Sequence, residues 1–126
     1  MGSVKKRVLD VGQCNPDHYS IRHLIEGKFA AEVVRAHLPA DALAKLREGQ
    51  FDLVLINRKL DQDYSDGLEI IKLMKADAAL ASIPVMLVTN YAEHQEAAVA
   101  VGAAWGFGKL EYNRPETHDR LKKFLG

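Results

Sequence analysis

The chain has 126 residues, about one domain, and 48% of them are apolar, which supports a core and excludes a disordered polypeptide. Its 17 basic and 17 acidic residues balance, so the overall charge gives no support for nucleic-acid binding. The single cysteine, Cys14, excludes an intrachain disulfide framework and a multi-cysteine zinc site, and it fits a reducing cytoplasm. The apolar runs are of strand length, so we expect no membrane span.

Strand-length apolar runs alternate with helical patterns along the whole chain. Arg7–Gly12 predicts a first strand, and Asn15-Pro16 predicts a helix with Asn15 as the N-cap, because proline favours the first helical position. Gly27 is expected to end that helix. The later predicted strands are Ala31–Ala36, Leu53–Ile56, Pro84–Thr89 and Ala104–Gly108, and the later helices contain Leu43, Ile71, Glu93–Val101 and Pro115–Leu125.

Five such β-α units, with wholly apolar central strands, predict an α/β fold with a doubly wound five-stranded parallel sheet and five helices in a single domain over residues 5–126. Ligand chemistry in such folds gathers at the carboxyl ends of the strands. The residues that stand there are Gly12, Gln13, Cys14, Asn57, Arg58, Lys59, Thr89, Asn90 and Lys109.

Three strand segments carry a family resemblance. FDLVLIN, IPVMLVT and VGAAWGFGK resemble the third, fourth and fifth strands of the receiver domain of bacterial two-component response regulators, and Asp66-Gly67 is similar to the family's Asp-Gly at the third helix. Thr89 follows Asn57 by 32 residues and Lys109 follows it by 52, as in that family. The resemblance covers about Lys6 to Leu125. It implies a flavodoxin-like (βα)5 fold and a signalling module of a two-component or phosphorelay system, with a protein partner and no enzyme activity.

The family's phosphoryl-transfer residues are matched unevenly. In working receivers an aspartate at the end of the third strand accepts the phosphoryl group, and two acidic residues after the first strand help it to hold Mg²⁺. The resemblance places Asn57 at the phosphoacceptor position and Gly12 and Gln13 at the acidic pair, or Gln13 and Cys14 after a shift of one residue. Neither alignment supplies a carboxylate, so we expect the Mg²⁺ site to be lost and no cofactor to be bound.

The two phosphoryl-binding positions of the family are retained, whereas its switch position is not. Thr89 and Lys109 stand where receivers bind the phosphoryl oxygens. Lys109, without an aspartate partner, is expected to bond to the Asn57 oxygen or to strand-end carbonyls. In the family, an aromatic side chain at the position of Gly106 swings inward when the domain is phosphorylated, and glycine has no side chain that could do so. Trp105 and Phe107 are each one residue away from this position, so we expect both on the opposite face of the strand.

Two aspartates could replace the missing acids. Asp10 lies within the first strand, where a bond to backbone or to a nearby Lys or Arg is the plainer role. Asp61 lies in a loop about two residues longer than the family pattern, which also carries Asp63 and Asp66. We expect a solvated acidic loop there, with Asp66 as the N-cap of the third helix.

The aromatic residues near the fifth strand have two interpretations. Trp105 and Phe107 either pack beneath the fourth and fifth helices or form, with Tyr91 and Tyr112, an exposed surface for a protein partner. Pairing of two copies through the same helices is a further interaction that this surface would allow.

We therefore predict an atypical receiver, a pseudo-receiver, that works through phosphorylation-independent protein-protein interaction. The alternative is an active phosphoacceptor receiver with an unusual site that uses Asp10 or Asp61. A small flavodoxin-like or cobalamin-binding enzyme domain is a third class. It is disfavoured because the sequence has neither a glycine-rich loop after the first strand nor a D-x-H-x-x-G motif.

Overall fold

The computed structural model describes residues 5–126. Its elements alternate in the predicted order: β1 (Lys6–Val11), α1 (Asn15–Lys28), β2 (Ala31–Ala36), α2 (Pro39–Glu48), β3 (Leu53–Asn57), α3 (Gly67–Ala76), β4 (Val85–Val88), α4 (Ala92–Ala100), β5 (Ala104–Phe107) and α5 (Pro115–Leu125). The strands form one parallel sheet in the order β2-β1-β3-β4-β5. The predicted five-stranded doubly wound, flavodoxin-like fold is confirmed. In this part of the chain no helix could span a bilayer.

The strand β3 shows why the central strands are wholly apolar. Val54 and Ile56 face a core built with α2, α3 and α4, whereas Leu53 and Leu55 face a second core built with α1 and α5. Both faces of the sheet are covered, so every residue of β3 is buried. This arrangement leaves the two edges and the carboxyl ends of the strands as the accessible parts of the sheet.

Local signals set the helix ends with small differences from the prediction. Asn15 is the first residue of α1 rather than its N-cap, which is Cys14, and the helix continues through Gly27 to Lys28. Asp66 is the N-cap of α3, as predicted, and its Oδ1 accepts a 2.9 Å hydrogen bond from the Leu68 N–H.

The edge strand β5 contains a bulge. Met86 pairs with Ala104 and Val88 pairs with Phe107, so β5 advances three residues while β4 advances two. An extra residue interrupts the alternation of side chains between the two faces. The prediction that Trp105 and Phe107 share one face was therefore wrong: Phe107 is fully buried, whereas Trp105 is 38% exposed.

A buried glutamine holds the bulge in place. Gln95 of α4 donates from Nε2 to the Leu87 carbonyl at 2.9 Å and accepts from the Gly106 N–H at 2.8 Å. Arg120 of α5 donates to the Gly106 carbonyl at 3.0 Å. A Cβ at Gly106 would collide with the Leu87 carbonyl oxygen, so this close approach requires glycine. We call Gln95, Gly106 and Arg120 the β5 clamp.

Candidate functional site

The loops that follow β3, β4 and β5 enclose one open cleft at the carboxyl edge of the sheet. Its volume is about 220 Å³, and its lining residues are Asn57, Arg58, Lys59, Val88, Thr89, Asn90, Tyr91 and Lys109. The structure therefore brings together Asn57, Thr89 and Lys109, as their strand-end positions predicted. Gly12 and Gln13 follow β1 but do not line this cleft.

The side chain of Asn57 is used internally. It is buried at the end of β3, and its Nδ2 donates to the Gly12 carbonyl at 3.1 Å. The same carbonyl accepts the Asp61 N–H at 3.0 Å. Asn57 thus joins the ends of β3 and β1 through a donor that a carboxylate does not have.

Gly12 has no room for a side chain. Its φ is +77°, in the region that favours glycine, and an added Cβ would collide with the buried side chain of Leu60. Leu60 belongs to the long loop after β3, which a bridge between Lys59 and Asp66 closes on itself. This loop therefore fills the space beside β1 that a residue 12 side chain would need.

Gln13 is also turned inward. It is buried, and its amide makes no hydrogen bond of good geometry, although it lies near enough to the Asp10 carboxyl to lower the pKa of that group; its carbonyl accepts Arg35 Nη2 at 2.9 Å. A buried amide in this state is a weak candidate for any contact with a ligand in the cleft.

Asp10 has a different partner from the one predicted. It is fully buried, and its Oδ2 lies 2.7 Å from Nδ1 of His18 on α1, whereas Arg35, its register partner on β2, acts on it only through its charge. Burial raises the pKa of the Asp10 carboxyl, and His18, with smaller effects of Gln13 and Arg35, only partly opposes this rise. The helical spacing of His18 with Ile21 and Ile25 put all three on the buried face, and this signal could have identified the partner.

Lys109 likewise has a partner that the sequence analysis missed. Its Nζ lies 2.8 Å from Oδ2 of Asp17 in the first turn of α1, not beside Asn57 or strand-end carbonyls. The Cys14 thiol donates to the same carboxylate at 3.2 Å, and the Tyr112 hydroxyl donates to it at 3.4 Å. Partial burial favours the neutral carboxyl, but the bonds from Lys109, Cys14 and Tyr112 outweigh burial and lower the pKa of Asp17.

Thr89 is tied to α4. Its hydroxyl lies 3.2 Å from Nδ1 of His94, and it accepts the Tyr91 N–H at 3.4 Å. Thr89 and Lys109, the two phosphoryl-binding positions, therefore both have internal partners on helices.

The aromatic residues divide into two groups. Phe107 is a core residue, and its ring meets the half-buried ring of Tyr112 edge-on at a centroid distance of 6.1 Å. Tyr91 and Trp105 are exposed at 60% and 38%. Of the two interpretations, packing beneath the helices holds for Phe107, so the exposed surface reduces to Tyr91 and Trp105.

The acidic loop is only partly solvated. Asp63 is exposed and accepts the Ser65 N–H at 2.9 Å, which stabilises the turn. Asp61 is half-buried, and one of its carboxylate oxygens is enclosed without a hydrogen-bond partner, contrary to the expected solvated role. Within residues 5–126 no three His, Cys, Asp or Glu side chains lie close enough together to hold a metal ion.

Replacing Asp17 by asparagine should remove the anchor of Lys109. We expect the free energy of unfolding at pH 7 to fall by about 1 kcal/mol. Because the pKa of Asp17 is lowered in the folded state, the stabilisation exists above the ordinary carboxyl pKa and is lost as the pH falls through the folded value. Urea unfolding of both proteins across the acid range measures it. Asp119→Asn, on the exposed face of α5, is the control, and an equal loss in that variant would contradict the role of Asp17.

Comparison with known proteins assigns the class. Residues 17–108 match the model of the response regulator receiver domain family, and the chain belongs to this family. The polar-differentiation response regulators DivK of Brucella ovis and Brucella suis are 31% identical to the chain over 106 residues, which cover 83% of this chain and 84% of each relative.

Solved structures agree on the fold. A response regulator from Chloroflexus aurantiacus superposes with a TM-score of 0.84 at 19% identity and covers 97% of this chain and 98% of its own. The chemotaxis response regulator CheY4 of Vibrio cholerae superposes with a TM-score of 0.76 at 22% identity and covers 97% of this chain and 100% of its own.

Proposed function

We propose that the chain is a pseudo-receiver, which signals through protein-protein interaction without phosphorylation and without enzyme activity. One observation carries the proposal. The residue at the end of β3 is Asn57, whose amide already donates to the Gly12 carbonyl. A neutral amide is not the nucleophile that an aspartyl phosphate requires. No carboxylate lines the cleft in the part of the chain that the structure describes.

The residues present do not fit the family's Mg²⁺ ion. Mg²⁺ is bound in proteins by carboxylates in near-octahedral geometry. Gly12 offers no side chain and has no space for one, and the amide of Gln13 is buried. Asn57 turns its amide nitrogen, a donor, toward β1. We therefore propose a module without a metal cofactor.

The two aspartates of the alternative function, Asp10 and Asp61, differ in their accessibility to a phosphodonor. Asp10 is fully buried and bonded to His18, so a phosphodonor does not reach it. Asp61 is half-buried and contacts the Gly12 carbonyl through its backbone. Asp61 is therefore the carboxylate that a test of phosphorylation has to address.

The partner surface that we propose contains Tyr91 and Trp105. Both are exposed, they flank α4, and the β5 clamp fixes the strand that carries Trp105. Large aromatic side chains supply much of the binding energy at protein interfaces. The partner is a signalling protein, an output domain or a second copy of the chain, and a cytoplasmic setting is proposed from the unpaired cysteine.

Incubation with acetyl phosphate and Mg²⁺ should leave the intact mass of the protein unchanged. The physical reason is the absence of an accessible carboxylate in the cleft. Mass spectrometry makes the measurement, with a receiver of established phosphoacceptor activity treated in parallel as the positive control. A base-labile phosphoryl adduct that maps to Asp61, and that Asp61→Asn abolishes, would replace this proposal with the active alternative.

A further inference from the structure

We propose that the Asp10–His18 pair, enclosed between β1 and α1, is a proton-binding site that makes the packing of α1 on the sheet sensitive to pH. Uptake of one proton by the pair strengthens the packing of α1, and release of that proton weakens it. Neither residue lines the cleft, so this site is independent of whether the chain accepts a phosphoryl group.

The pair is closed off from solvent and joined by one short contact. Asp10 is 0% exposed and His18 is 6% exposed, and Oδ2 of Asp10 lies 2.7 Å from Nδ1 of His18. A hydrogen must lie between these two atoms, because two bare acceptors at this distance would repel each other. With that hydrogen alone the pair carries one negative charge, and one further proton makes it neutral.

The negative state of the pair is unfavourable at this place. Oδ1 of Asp10 is enclosed and has no hydrogen-bond partner among the residues that the structure describes. A buried carboxylate that lacks donors favours its neutral form. Burial accordingly raises the pKa of the Asp10 carboxyl, and the opposing effects of His18, Gln13 and Arg35 are too small to cancel this rise. The carboxyl therefore takes up its proton at a higher pH than an exposed carboxyl group does.

Arg35 is the charged group that the neighbouring strands bring to the pair. It stands opposite Asp10 in the register of β2 and acts on the carboxyl through its charge, whereas its Nη2 donates to the Gln13 carbonyl at 2.9 Å. On the other side, Asp10 is opposite the apolar Leu55 of β3. Helix α5 meets this core through apolar side chains such as Leu121. Arg35 therefore reduces the cost of the negative state without removing it.

The titratable groups at the start of α1 and in the loop after β5 do not supply the missing donor. Asp17 accepts Lys109 Nζ at 2.8 Å and the Cys14 thiol at 3.2 Å, so its charge is balanced locally. The Tyr112 hydroxyl donates to Asp17 at 3.4 Å rather than to Asp10. Burial and the charges of Asp17 and Asp10 raise the pKa of Tyr112, so its phenol stays neutral and does not compete for the proton.

The position of the pair links its charge to α1. His18 lies on the buried face of α1 with residues such as Ile21, and its ring lies beside that of the exposed Tyr19 at a centroid distance of 5.8 Å. A negative charge beneath this face weakens the contact between α1 and β1, because a buried charge without its full set of hydrogen bonds is costly. The first turn of α1 also carries Asp17, so weaker packing loosens the anchor of Lys109 at the cleft.

The first test is a carbon-detected NMR titration of the Asp10 carboxyl in the folded protein. We expect its pKa above the ordinary carboxyl range and above the pKa that the same group shows in the urea-unfolded chain. A change at the ring nitrogens of His18 with the same midpoint would show that the two groups titrate as one unit. An Asp10 carboxyl that titrates in the ordinary range would overturn the proposal.

Stability measured against pH tests the coupling to α1. Because the pKa of Asp10 is raised in the folded state, the stabilisation is fully present below the ordinary carboxyl pKa of about 4 and is lost as the pH rises through the folded value. Asp10→Asn keeps the shape of the neutral carboxyl and cannot ionise. The urea midpoint of the wild type should therefore fall relative to that of Asp10→Asn as the pH rises. The opposite dependence of Asp17 is present in both proteins and cancels in this difference.

A matched variant and a local measurement make the test specific. Asp119→Asn, on the exposed face of α5, should keep the wild-type profile. The protection of α1 amides against hydrogen exchange should fall over the same pH range in the wild type and not in Asp10→Asn. Parallel profiles of the wild type and Asp10→Asn, or the same change in Asp119→Asn, would overturn the coupling. The NMR titration uses the wild type alone, so it tests the site even if Asp10→Asn does not fold.

Discussion

Substituting Gly12 with aspartate should lower the free energy of unfolding by about 2–5 kcal/mol, the combined cost of a left-handed backbone at a non-glycine residue and of overpacking against a buried side chain. The collision is with Leu60, which is fully buried and held by the closed loop after β3. Urea unfolding measures the loss. The variant should also accept no phosphoryl group from acetyl phosphate, because the new carboxylate cannot occupy its site without displacing the loop.

Gly27→Ala is the matched control for this substitution. Gly27 lies inside α1, and a Cβ there meets nothing within 4 Å, so this change should raise stability by about 0.5–1 kcal/mol. The loss caused by Gly12→Asp should be smaller when it is measured against Leu60→Ala than against the wild type, because the colliding side chain is then absent, although Leu60→Ala itself lowers stability. Wild-type stability of Gly12→Asp alone would mean that the loop after β3 moves freely and does not block the β1 end.

The same contacts predict the fate of a full restoration. Asn57→Asp would set a carboxylate against the Gly12 carbonyl, which now accepts the Asn57 Nδ2, and would leave the other two acid positions empty. Gly12→Asp, Gln13→Asp and Asn57→Asp together would supply the carboxylates but would add the collision with Leu60. We expect neither variant to be phosphorylated efficiently.

Gln95→Ala should destabilise the protein by about 2–4 kcal/mol. The change leaves the buried Gly106 N–H without its acceptor and removes a donor from the Leu87 carbonyl, and each unsatisfied group costs about 1–3 kcal/mol. Amide hydrogen exchange should rise most strongly at Gly106. Thermal unfolding and exchange measured together separate a local loosening of β5 from global destabilisation.

Glu96→Ala tests the specificity of this effect. Glu96 is the exposed neighbour of Gln95 on α4, so its loss should change stability by less than about 0.5 kcal/mol. If Gln95→Ala behaved like Glu96→Ala, the β5 clamp would not hold the bulge, and the fixed arrangement of β5 would lose its physical basis.

The fold was predictable because its signals are local and repeated. Apolar strand runs, proline at helix starts and Asp66 as an N-cap each act within a few residues, and β2 and α5 were placed at their observed ends. The central strands are wholly apolar in sequence because helices cover both faces of the sheet. The carboxyl edge then followed from the parallel order, which brought Asn57, Thr89 and Lys109 to one cleft.

The partners of the site residues were not predictable in the same way. Asp17 and Lys109 are separated by 92 residues, and only the folded chain brings the first turn of α1 close to the loop after β5. The bulge in β5 had one local signal, because a glycine inside a strand, here Gly106, often marks a bulge, but this signal does not say which side chains change face. The Asp10–His18 pair could have been predicted from the sequence, because the apolar periodicity already marks the faces that carry both residues as buried.

The β5 clamp bears on how such a module could carry information. A protein that alternates between two shapes binds its partner with an affinity reduced by the fraction of molecules in the competent shape. If the β5 clamp keeps the strand in this one arrangement, that fraction would be close to one, and the occupancy of the proposed complex would depend on the amounts of the two proteins. Synthesis and degradation would then set the output.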